Sequence, residues 1–218
     1  MKNTPKTLLF LNAISSEQLH DFNSNTSLVV DCKPVIETKP LTFNNADLDV
    51  NIPWVFTSRS AVEAIKGLPL SKKLYAIGSR TSETFTHAII PKKSTATDLA
   101  KLIIENKEKE VIFICGSSRR NDLPEMLKSF DIKVKEVHVY QTINLNKTLN
   151  LQSVDGLAFM SPSAVYSFLE KNEFNGLPCF AIGPTTAQAL KNEGQDFITS
   201  NNTDARSIVE VARKYFNT

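Results

Sequence analysis

A repeated pattern, in which an apolar run leads into hydroxyl residues and then into a helical pattern, constrains the fold of this chain most strongly. The stretch WVFTSRSAVEAI begins at Trp54, and the stretch LAFMSPSAVYSFL begins at Leu157. Four identities align the two copies 103 residues apart: Phe56, Ser58, Ala61 and Val62 match Phe159, Ser161, Ala164 and Val165. Self-similarity of this kind indicates a repeated structural unit.

Two further matches follow in the same order and at nearly the same spacing. AIGSRT, from Ala76, matches AIGPTT, from Ala181, and TDLAKLI, from Thr97, matches TDARSIV, from Thr203. The two spacings are 105 and 106 residues. Three matches at an almost constant spacing predict that the chain contains two similar domains.

Strand-like runs alternate with helical patterns along the chain, which is typical of α/β proteins with parallel sheets flanked by helices. The predicted strands are WVF, KLYAIG, VIFIC, VKEVHVY, LAFM, CFAIG and DFIT, and several are apolar on both faces, as strands between two helix layers must be. The predicted helices cover residues 60–66, 97–106, 123–130, 163–172, 185–192 and 204–216.

The pieces outside the repeat predict how the two domains are assembled. After the first copy come a strand (VIFICGSS), a helix (DLPEMLKSF) and a strand (VKEVHVYQT), whereas the chain ends after the second copy. The missing pieces occur at the N-terminus, in TLLFLNAISS, SEQLHDF and SLVVDCKPVI. We therefore expect a discontinuous domain of residues 1–37 plus 142–218 and a continuous domain of residues 38–141.

The chain must cross between these domains twice, near ETKPLTFNN and near TINLNKTLNLQ. Both crossings are polar and rich in Asn and Thr, so we expect a two-stranded linker with a cleft between the domains. Ligands commonly bind in such clefts.

Composition excludes several classes of protein. The net charge of +2 argues against nucleic acid as a partner, and no apolar run approaches the ~20 residues of a membrane helix. Asn12 shortens the N-terminal apolar run below that of an export signal, so we expect a cytoplasmic protein. The three cysteines, Cys32, Cys115 and Cys179, lie far apart in the sequence. The three histidines, His20, His87 and His138, lack the spacing of metal ligands, so no metal site is expected.

Hydroxyl residues follow five predicted strands, at residues 57–60, 78–81, 116–118, 161–163 and 183–186. We call each of these segments, between the end of a strand and the next helix, a hydroxyl step. Ser and Thr at such positions cap the following helix, and capping alone accounts for most steps of this kind. The same unpaired N–H groups can instead bind an anion. Five steps suit a ligand with many carboxylates or phosphates. Arg59 and Arg120 beside them could contact such a ligand or lie in solvent.

Motifs for other chemistry are absent from the sequence. No GxGxxG or GxxxxGK[ST] loop occurs among the 7 glycines, and no serine lies in GxSxG, so nucleotide binding and a serine nucleophile are not indicated.

Tyr140, which ends VHVY at the second crossing, is by default a half-buried strand aromatic. Its place at the crossing raises the chance that its hydroxyl faces the cleft.

Six motifs together resemble a known family over essentially the whole chain. VFTSRSAV, YAIGSRT, CGSSRRNDLPEML, VHVYQT, FMSPSAV and FAIGPTTAQAL occur in the order found in uroporphyrinogen-III synthases. The resemblance implies a hydro-lyase of heme biosynthesis that cyclises hydroxymethylbilane, a linear tetrapyrrole with eight carboxylates, to uroporphyrinogen III with inversion of ring D and loss of water. It implies no metal or organic cofactor.

The resemblance also implies roles for individual residues. Tyr140 matches the position of a proton donor, and the matched substrate contacts are Thr81, Ser161, Ser163, Thr185 and Thr186. The hydroxyl steps and their neighbours add further expected contacts: Thr57, Ser58, Arg59, Ser60, Gly116, Ser117 and Arg120.

Alternatives remain open at the level of sequence. A non-catalytic two-lobed module that senses a tetrapyrrole or another polyanion would keep the same hydroxyl steps, because a fold does not fix a function. We expect a monomer, and a transient handover of the substrate from the preceding pathway enzyme is compatible with this interpretation.

Overall fold

The structure, a computed structural model, describes residues 4–24, 27–85 and 87–217, apart from the side chain of Arg80. The strands are β1 (Lys6–Phe10), β2 (Leu28–Cys32), β3 (Ile36–Pro40), β4 (Trp54–Phe56), β5 (Leu74–Ala76), β6 (Ala88–Ile89), β7 (Glu110–Gly116), β8 (Lys133–Asn144), β9 (Gly156–Phe159), β10 (Cys179–Ala181) and β11 (Phe197–Thr199). The helices are α1 (Ser16–Phe22), α2 (Arg59–Ala64), α3 (Ser79–Ser82), α4 (Ala96–Glu105), α5 (Asp122–Lys128), α6 (Pro162–Leu169), α7 (Pro184–Asn192) and α8 (Ala205–Phe216). None of these helices, over the ranges just given, is long and apolar enough to cross a bilayer.

The chain forms two compact units, which we call the discontinuous unit and the continuous unit. The discontinuous unit comprises Met1–Glu37 and Ile143–Thr218, and the continuous unit comprises Thr38–Thr142. Each boundary falls within a strand, the first in β3 and the second in β8, and these strands are neighbours in one sheet. The chain thus passes between the units on two adjacent strands.

The discontinuous unit is built on a five-stranded sheet in the order β11-β10-β9-β1-β2, with every neighbouring pair parallel. Two N-terminal strands therefore complete a sheet begun by three C-terminal strands. Alternate residues of β1 enter opposite cores: Leu9 packs with α6 and α7, whereas Leu8 packs with α1 and α8. Both faces of the sheet are buried, which explains why its strands are apolar throughout.

The continuous unit contains a six-stranded sheet in the order β3-β8-β7-β4-β5-β6. Its pairs from β8 to β6 are parallel, and helices again cover both faces. Trp54 and Phe56 pack on the side of α2, whereas Val55 packs on the side of α4 and α5. The predicted α/β class, with two similar parallel-rich sheets and one discontinuous domain, is confirmed.

One local prediction differs from the structure. The segment SLVVDCKPVI was predicted as one strand, but within it β2 ends at Cys32, and its last residue, Ile36, begins β3 of the other sheet; Pro34 between the two strands has no N–H group to continue a ladder. The helix predicted at residues 123–130 is present as α5 (Asp122–Lys128), and a turn at residues 117–118 separates it from the end of β7.

Candidate active site

The first hydroxyl step lies between β4 and α2 of the continuous unit. Ser58 adopts an extended conformation as the N-cap of α2, and its Oγ accepts a hydrogen bond from the backbone N–H of Ala61 at 3.2 Å. This bond satisfies one of the N–H groups that the first turn of a helix leaves without an intrahelical partner. The capping role expected for this step is confirmed at Ser58.

A second bond connects this cap to a distant strand. The hydroxyl of Tyr140, in β8, donates to the Oγ of Ser58 at 3.0 Å. Gly116, at the end of β7, allows the Tyr140 ring to lie where it does, because a Cβ on Gly116 would stand 2.6 Å from two ring carbons. The backbone N–H of Ser117 donates to the carbonyl of Tyr140 at 2.9 Å, at a register irregularity after Cys115.

The electrostatics of Tyr140 keep its hydroxyl protonated. Burial raises the pKa of this phenol, and the bond with Ser58, which lowers it, only partly offsets that effect. The hydroxyl therefore remains a proton donor at neutral pH.

A surface cavity of about 470 Å³ adjoins this tyrosine within the continuous unit. Its lining includes Thr38 and Pro40 from β3, Arg59 and Ser60 at the start of α2, and Tyr140. Tyr140, Ser60 and Arg59 thus line one solvent-accessible space. Arg59 is exposed, and its guanidinium lies 4.0 Å from the carboxylate of Glu83.

The matching step in the discontinuous unit lies between β9 and α6. Ser161 is the N-cap of α6, and its Oγ accepts from the N–H of Ala164 at 3.3 Å. The Oγ atoms of Ser161 and Ser163 are 3.0 Å apart. Here the second partner of the cap is Asn12, which follows β1 and donates from Nδ2 to the Oγ of Ser161 at 3.0 Å.

Two further steps have glycine at the N-cap. Gly78 precedes α3 and Gly183 precedes α7, and glycine has no side chain with which to cap the helix. Thr81 and Thr186, three residues later, are 7% and 2% exposed, whereas Thr185 is exposed. At these two steps the backbone N–H groups and Thr185 are therefore better placed for a ligand than the buried threonine side chains.

The remaining predicted site residues lie near the surface. Thr57 is half-buried immediately before the Ser58 cap, and Ser117 is exposed in the turn after β7. Arg120 is exposed and its guanidinium lies 2.7 Å from the carboxylate of Asp122. A carboxylate ligand at Arg120 would have to exchange with Asp122.

The continuous unit contains a cluster of three possible metal ligands that the spacing of these residues in the sequence did not indicate. The ligand atoms of Cys115, Glu136 and His138 lie within 4.8 Å of one another. Arg119 forms an ion pair with Glu136, and burial raises the pKa of the Cys115 thiol to about 12. The cluster resembles an ion-pair network more than a metal site, because a metal needs a thiolate and an unoccupied carboxylate.

The structure brings the predicted residues together in groups within each unit. In the continuous unit Tyr140, Ser58, Gly116 and Ser117 are connected through direct contacts. In the discontinuous unit Ser161 and Ser163 lie at the carboxyl end of β9, whose neighbour β10 leads into Thr185. Sequence analysis missed Asn12 as a member of the second group. The signal that could have indicated it is the position of Asn12, a polar residue directly after the apolar run of a predicted strand.

These observations define a class: an α/β protein of two related parallel-sheet units, each with hydroxyl residues at the carboxyl ends of its strands. Comparison with known proteins identifies the class further. The family model described as Uroporphyrinogen-III synthase HemD matches residues 24–210. The chain therefore belongs to the uroporphyrinogen-III synthase family.

Individual relatives agree with this assignment. The chain is 27% identical over 193 residues to a uroporphyrinogen-III synthase of Chlorobaculum parvum, covering 74% of this chain and 78% of that protein. It is 24% identical over 236 aligned residues to that of Saccharomyces cerevisiae, covering 88% and 84%.

Solved structures of low sequence identity share the fold. The crystal structure of uroporphyrinogen-III synthetase from Helicobacter pylori superposes with a TM-score of 0.64 at 20% identity, covering 96% of this chain and 99% of that one. A mutant uroporphyrinogen III synthase from Thermus thermophilus gives a TM-score of 0.69 at 15% identity, covering 97% and 98%.

Proposed function

We propose that this chain forms uroporphyrinogen III from hydroxymethylbilane with Tyr140 as the proton donor and the hydroxyl steps as carboxylate sites. Uroporphyrinogen-III synthase activity itself follows from the family match over residues 24–210 and from the two curated relatives. The assignment of roles to residues rests mainly on the bond between Tyr140 and Ser58 beside a cavity.

The first chemical step is the departure of the terminal hydroxyl of the bilane. Hydroxide is a poor leaving group, so a positioned acid must supply a proton and let it leave as water. Tyr140 carries such a proton, because a phenol is protonated at neutral pH and burial, which raises its pKa, keeps it so. The electrophilic azafulvene that remains is then attacked by ring D, and the resulting spiro intermediate fragments and recloses with that ring inverted.

Ser58 is suited to support this transfer. Its Oγ accepts from both Ala61 N–H and the Tyr140 hydroxyl, so its own hydrogen is not needed for either bond. When Tyr140 gives its proton to the leaving group, Ser58 can reverse the bond and donate to the phenolate oxygen. A hydrogen bond to the charged form stabilises that form, which lowers the barrier to proton transfer.

The hydroxyl steps provide the binding energy. We propose that substrate carboxylates accept from side-chain hydroxyls and from N–H groups at the starts of helices. The proposed contacts are Thr57, Ser58, Arg59, Ser60, Thr81, Gly116, Ser117, Arg120, Ser161, Ser163, Thr185 and Thr186. Holding the flexible bilane with its ends together is a proximity effect, and holding ring D in one orientation favours the inverted closure over the spontaneous one.

An isomer assay tests the proposed function. Freshly made hydroxymethylbilane is incubated with the protein, the product is oxidised, and the type I and type III isomers are separated. We expect type III to dominate, with heat-inactivated protein as the control. A mixture identical to that control would leave only a binding role.

Three finer expectations stay predictions: a cytoplasmic location, a monomeric state and a transient handover of substrate from the preceding pathway enzyme. Sedimentation of the purified chain tests the second. A mass of one chain, 24.3 kDa, is expected, and a stable larger species would contradict it.

A further inference from the structure

The side chain of Asn12 is fixed at both ends of its amide. It is 9% exposed and follows β1, next to the end of β9. Its Oδ1 accepts from the backbone N–H of Met160 at 2.7 Å, and its Nδ2 donates to the Oγ of Ser161 at 3.0 Å. A backbone N–H can only donate, so the amide atom facing Met160 must be the oxygen. The NH₂ group therefore faces Ser161.

This orientation determines which way the Ser161 hydroxyl points. Its oxygen has two lone pairs, and they accept from Asn12 Nδ2 and from the N–H of Ala164. Only the hydroxyl hydrogen is left, and among the residues that the structure describes its acceptor is the Oγ of Ser163 at 3.0 Å. Ser161 is therefore the donor in that pair and Ser163 the acceptor.

Ser163 is then left with its own hydrogen. It is half-buried, and within the part of the chain that the structure describes its Oγ has no second hydrogen-bond partner. A carboxylate can only accept hydrogen bonds. A serine whose hydrogen is already committed to a neighbour would offer such a ligand a lone pair instead, which repels it.

We propose that Asn12 is a positioning residue that sets the direction of this chain of hydrogen bonds, so that Ser163 donates to a substrate carboxylate. The inference rests on the proposed function, which makes Ser163 a carboxylate contact. It adds the residue that makes Ser163 a donor, and this residue acts through Ser161 without touching the substrate.

Asn12→Asp is the most direct test, because it keeps the shape of the side chain and reverses its hydrogen bond to Ser161. The introduced carboxylate accepts from Met160 N–H and from the Ser161 hydroxyl. The second lone pair of Ser161 is then open to Ser163, and we expect Ser163 to donate to it, which diverts its hydrogen from the ligand. We expect KM for hydroxymethylbilane to rise on the order of 10-fold, the scale of a hydrogen bond to a charged group, while kcat changes less than about 2-fold.

A second variant distinguishes direction from a general structural effect. Ser163→Ala should raise KM by a similar factor in the wild-type background. In the Asn12→Asp background it should change KM by less than about 2-fold, because the donation it removes is already absent. A structural role for Asn12 predicts that the two effects multiply, to roughly 100-fold.

Protonation provides a readout that packing alone would not move. An ordinary aspartate has a pKa of about 3.9, so as the pH falls towards 4 the introduced carboxylate gains a hydrogen and can donate to Ser161 again. The ratio of KM for Asn12→Asp to KM for wild type should therefore fall towards one as the pH decreases, measured at matched pH for both proteins.

Three results would overturn the inference: an unchanged KM for Asn12→Asp, multiplied effects in the double variant, or a KM ratio independent of pH. If Asn12→Asp does not fold, Asn12→Ala with and without Ser163→Ala gives the same coupling test. Formation of the type III isomer by wild type is measured first. Its absence would reject the proposed function, whereas its presence with any of these three results rejects only the role of Asn12.

Discussion

The Ser58 step of the continuous unit and the Ser161 step of the discontinuous unit share a backbone but differ in what holds the capping hydroxyl. Both serines are extended N-caps, with N–H to Oγ distances of 3.2 and 3.3 Å. The second donor is the phenol of Tyr140 in one unit and the amide of Asn12 in the other. Local sequence determines the cap, and a residue distant in sequence determines what the cap can do.

The difference suggests a division of roles between the two copies. A phenol can give up its proton, so the Ser58 step suits proton transfer. A carboxamide does not titrate and holds both of its neighbours in one arrangement, so the Ser161 step suits binding. The following predictions test this comparison, beginning with the largest expected effect.

Tyr140→Phe removes the proposed proton donor and keeps the ring that packs against Gly116. We expect kcat for hydroxymethylbilane to fall at least several-fold with the fold intact, because hydroxide then leaves without a positioned acid. Stopped-time assays with isomer separation measure it. Tyr75→Phe is the matched control: its hydroxyl donates to Glu108 at 2.7 Å in the same sheet, and its removal should leave turnover unchanged. Wild-type rates for Tyr140→Phe would remove this residue from the mechanism.

Gly116→Ala should act through Tyr140. The new methyl group would overlap the ring at 2.6 Å, so the ring must move and its bond with Ser58 is lost. We expect a smaller loss of turnover than for Tyr140→Phe and a loss of about 1–3 kcal/mol of folding free energy from overpacking. In the Tyr140→Phe background the same change should cost no further turnover. A further loss there would show that Gly116 contributes by another route.

Alanine at the two caps should distinguish the steps by stability. Ser58→Ala and Ser161→Ala each remove a cap, which costs about 1 kcal/mol. Ser161→Ala also deprives the buried Nδ2 of Asn12 of its acceptor, whereas Tyr140 lines a cavity that water can enter. We expect Ser161→Ala to be the more destabilising by about 1 kcal/mol in urea unfolding. Equal losses would contradict the difference between the second partners.

The smallest effect concerns the start of β9, where the repeat places Asp155 in the position of Ile52. Burial opposes ionisation of Asp155, but hydrogen bonds from Lys6 Nζ and Thr7 N–H outweigh it and hold the pKa of this carboxyl below its usual range. A lowered folded pKa means that the stabilisation is present above about pH 3.9 and is lost as the pH falls through the folded value.

Asp155→Asn should therefore reduce the free energy of unfolding by less than about 1 kcal/mol at neutral pH, because the pair is partly exposed. The difference from wild type should vanish in acid. Lys6→Met, which removes one partner and keeps Thr7, should show a smaller version of the same dependence. A difference that persists once the pH is well below the folded pKa of Asp155 would assign the effect to packing.

Most of the fold could be predicted from sequence because periodicity and the repeat are local signals. The helix predicted at residues 204–216 is present as α8, with Asp204 as its N-cap. The completion of one sheet by N-terminal strands followed from counting the pieces on either side of the repeat. The end of β2 at Cys32 and the separate start of β3 at Ile36 were missed, because a proline after an apolar run permits either a strand end or an edge strand.

The candidate site was predictable only in part. The caps at Ser58 and Ser161 follow from a serine before a helical pattern, which is a short-range relation. Their second partners are not: Tyr140 lies 82 residues from Ser58, and Asn12 lies 149 residues from Ser161. Such contacts depend on strand order and register, which the composition of either segment does not encode.

Steady-state kinetics of Tyr140→Phe and Ser163→Ala, measured together on hydroxymethylbilane, test the division of roles most directly. The account predicts that Tyr140→Phe lowers kcat at least several-fold with KM within about 2-fold of wild type, since it removes an interaction of the transition state. It predicts that Ser163→Ala raises KM on the order of 10-fold with kcat nearly unchanged. If both variants changed the same constant in the same proportion, the two steps would not differ in role and the account would be wrong.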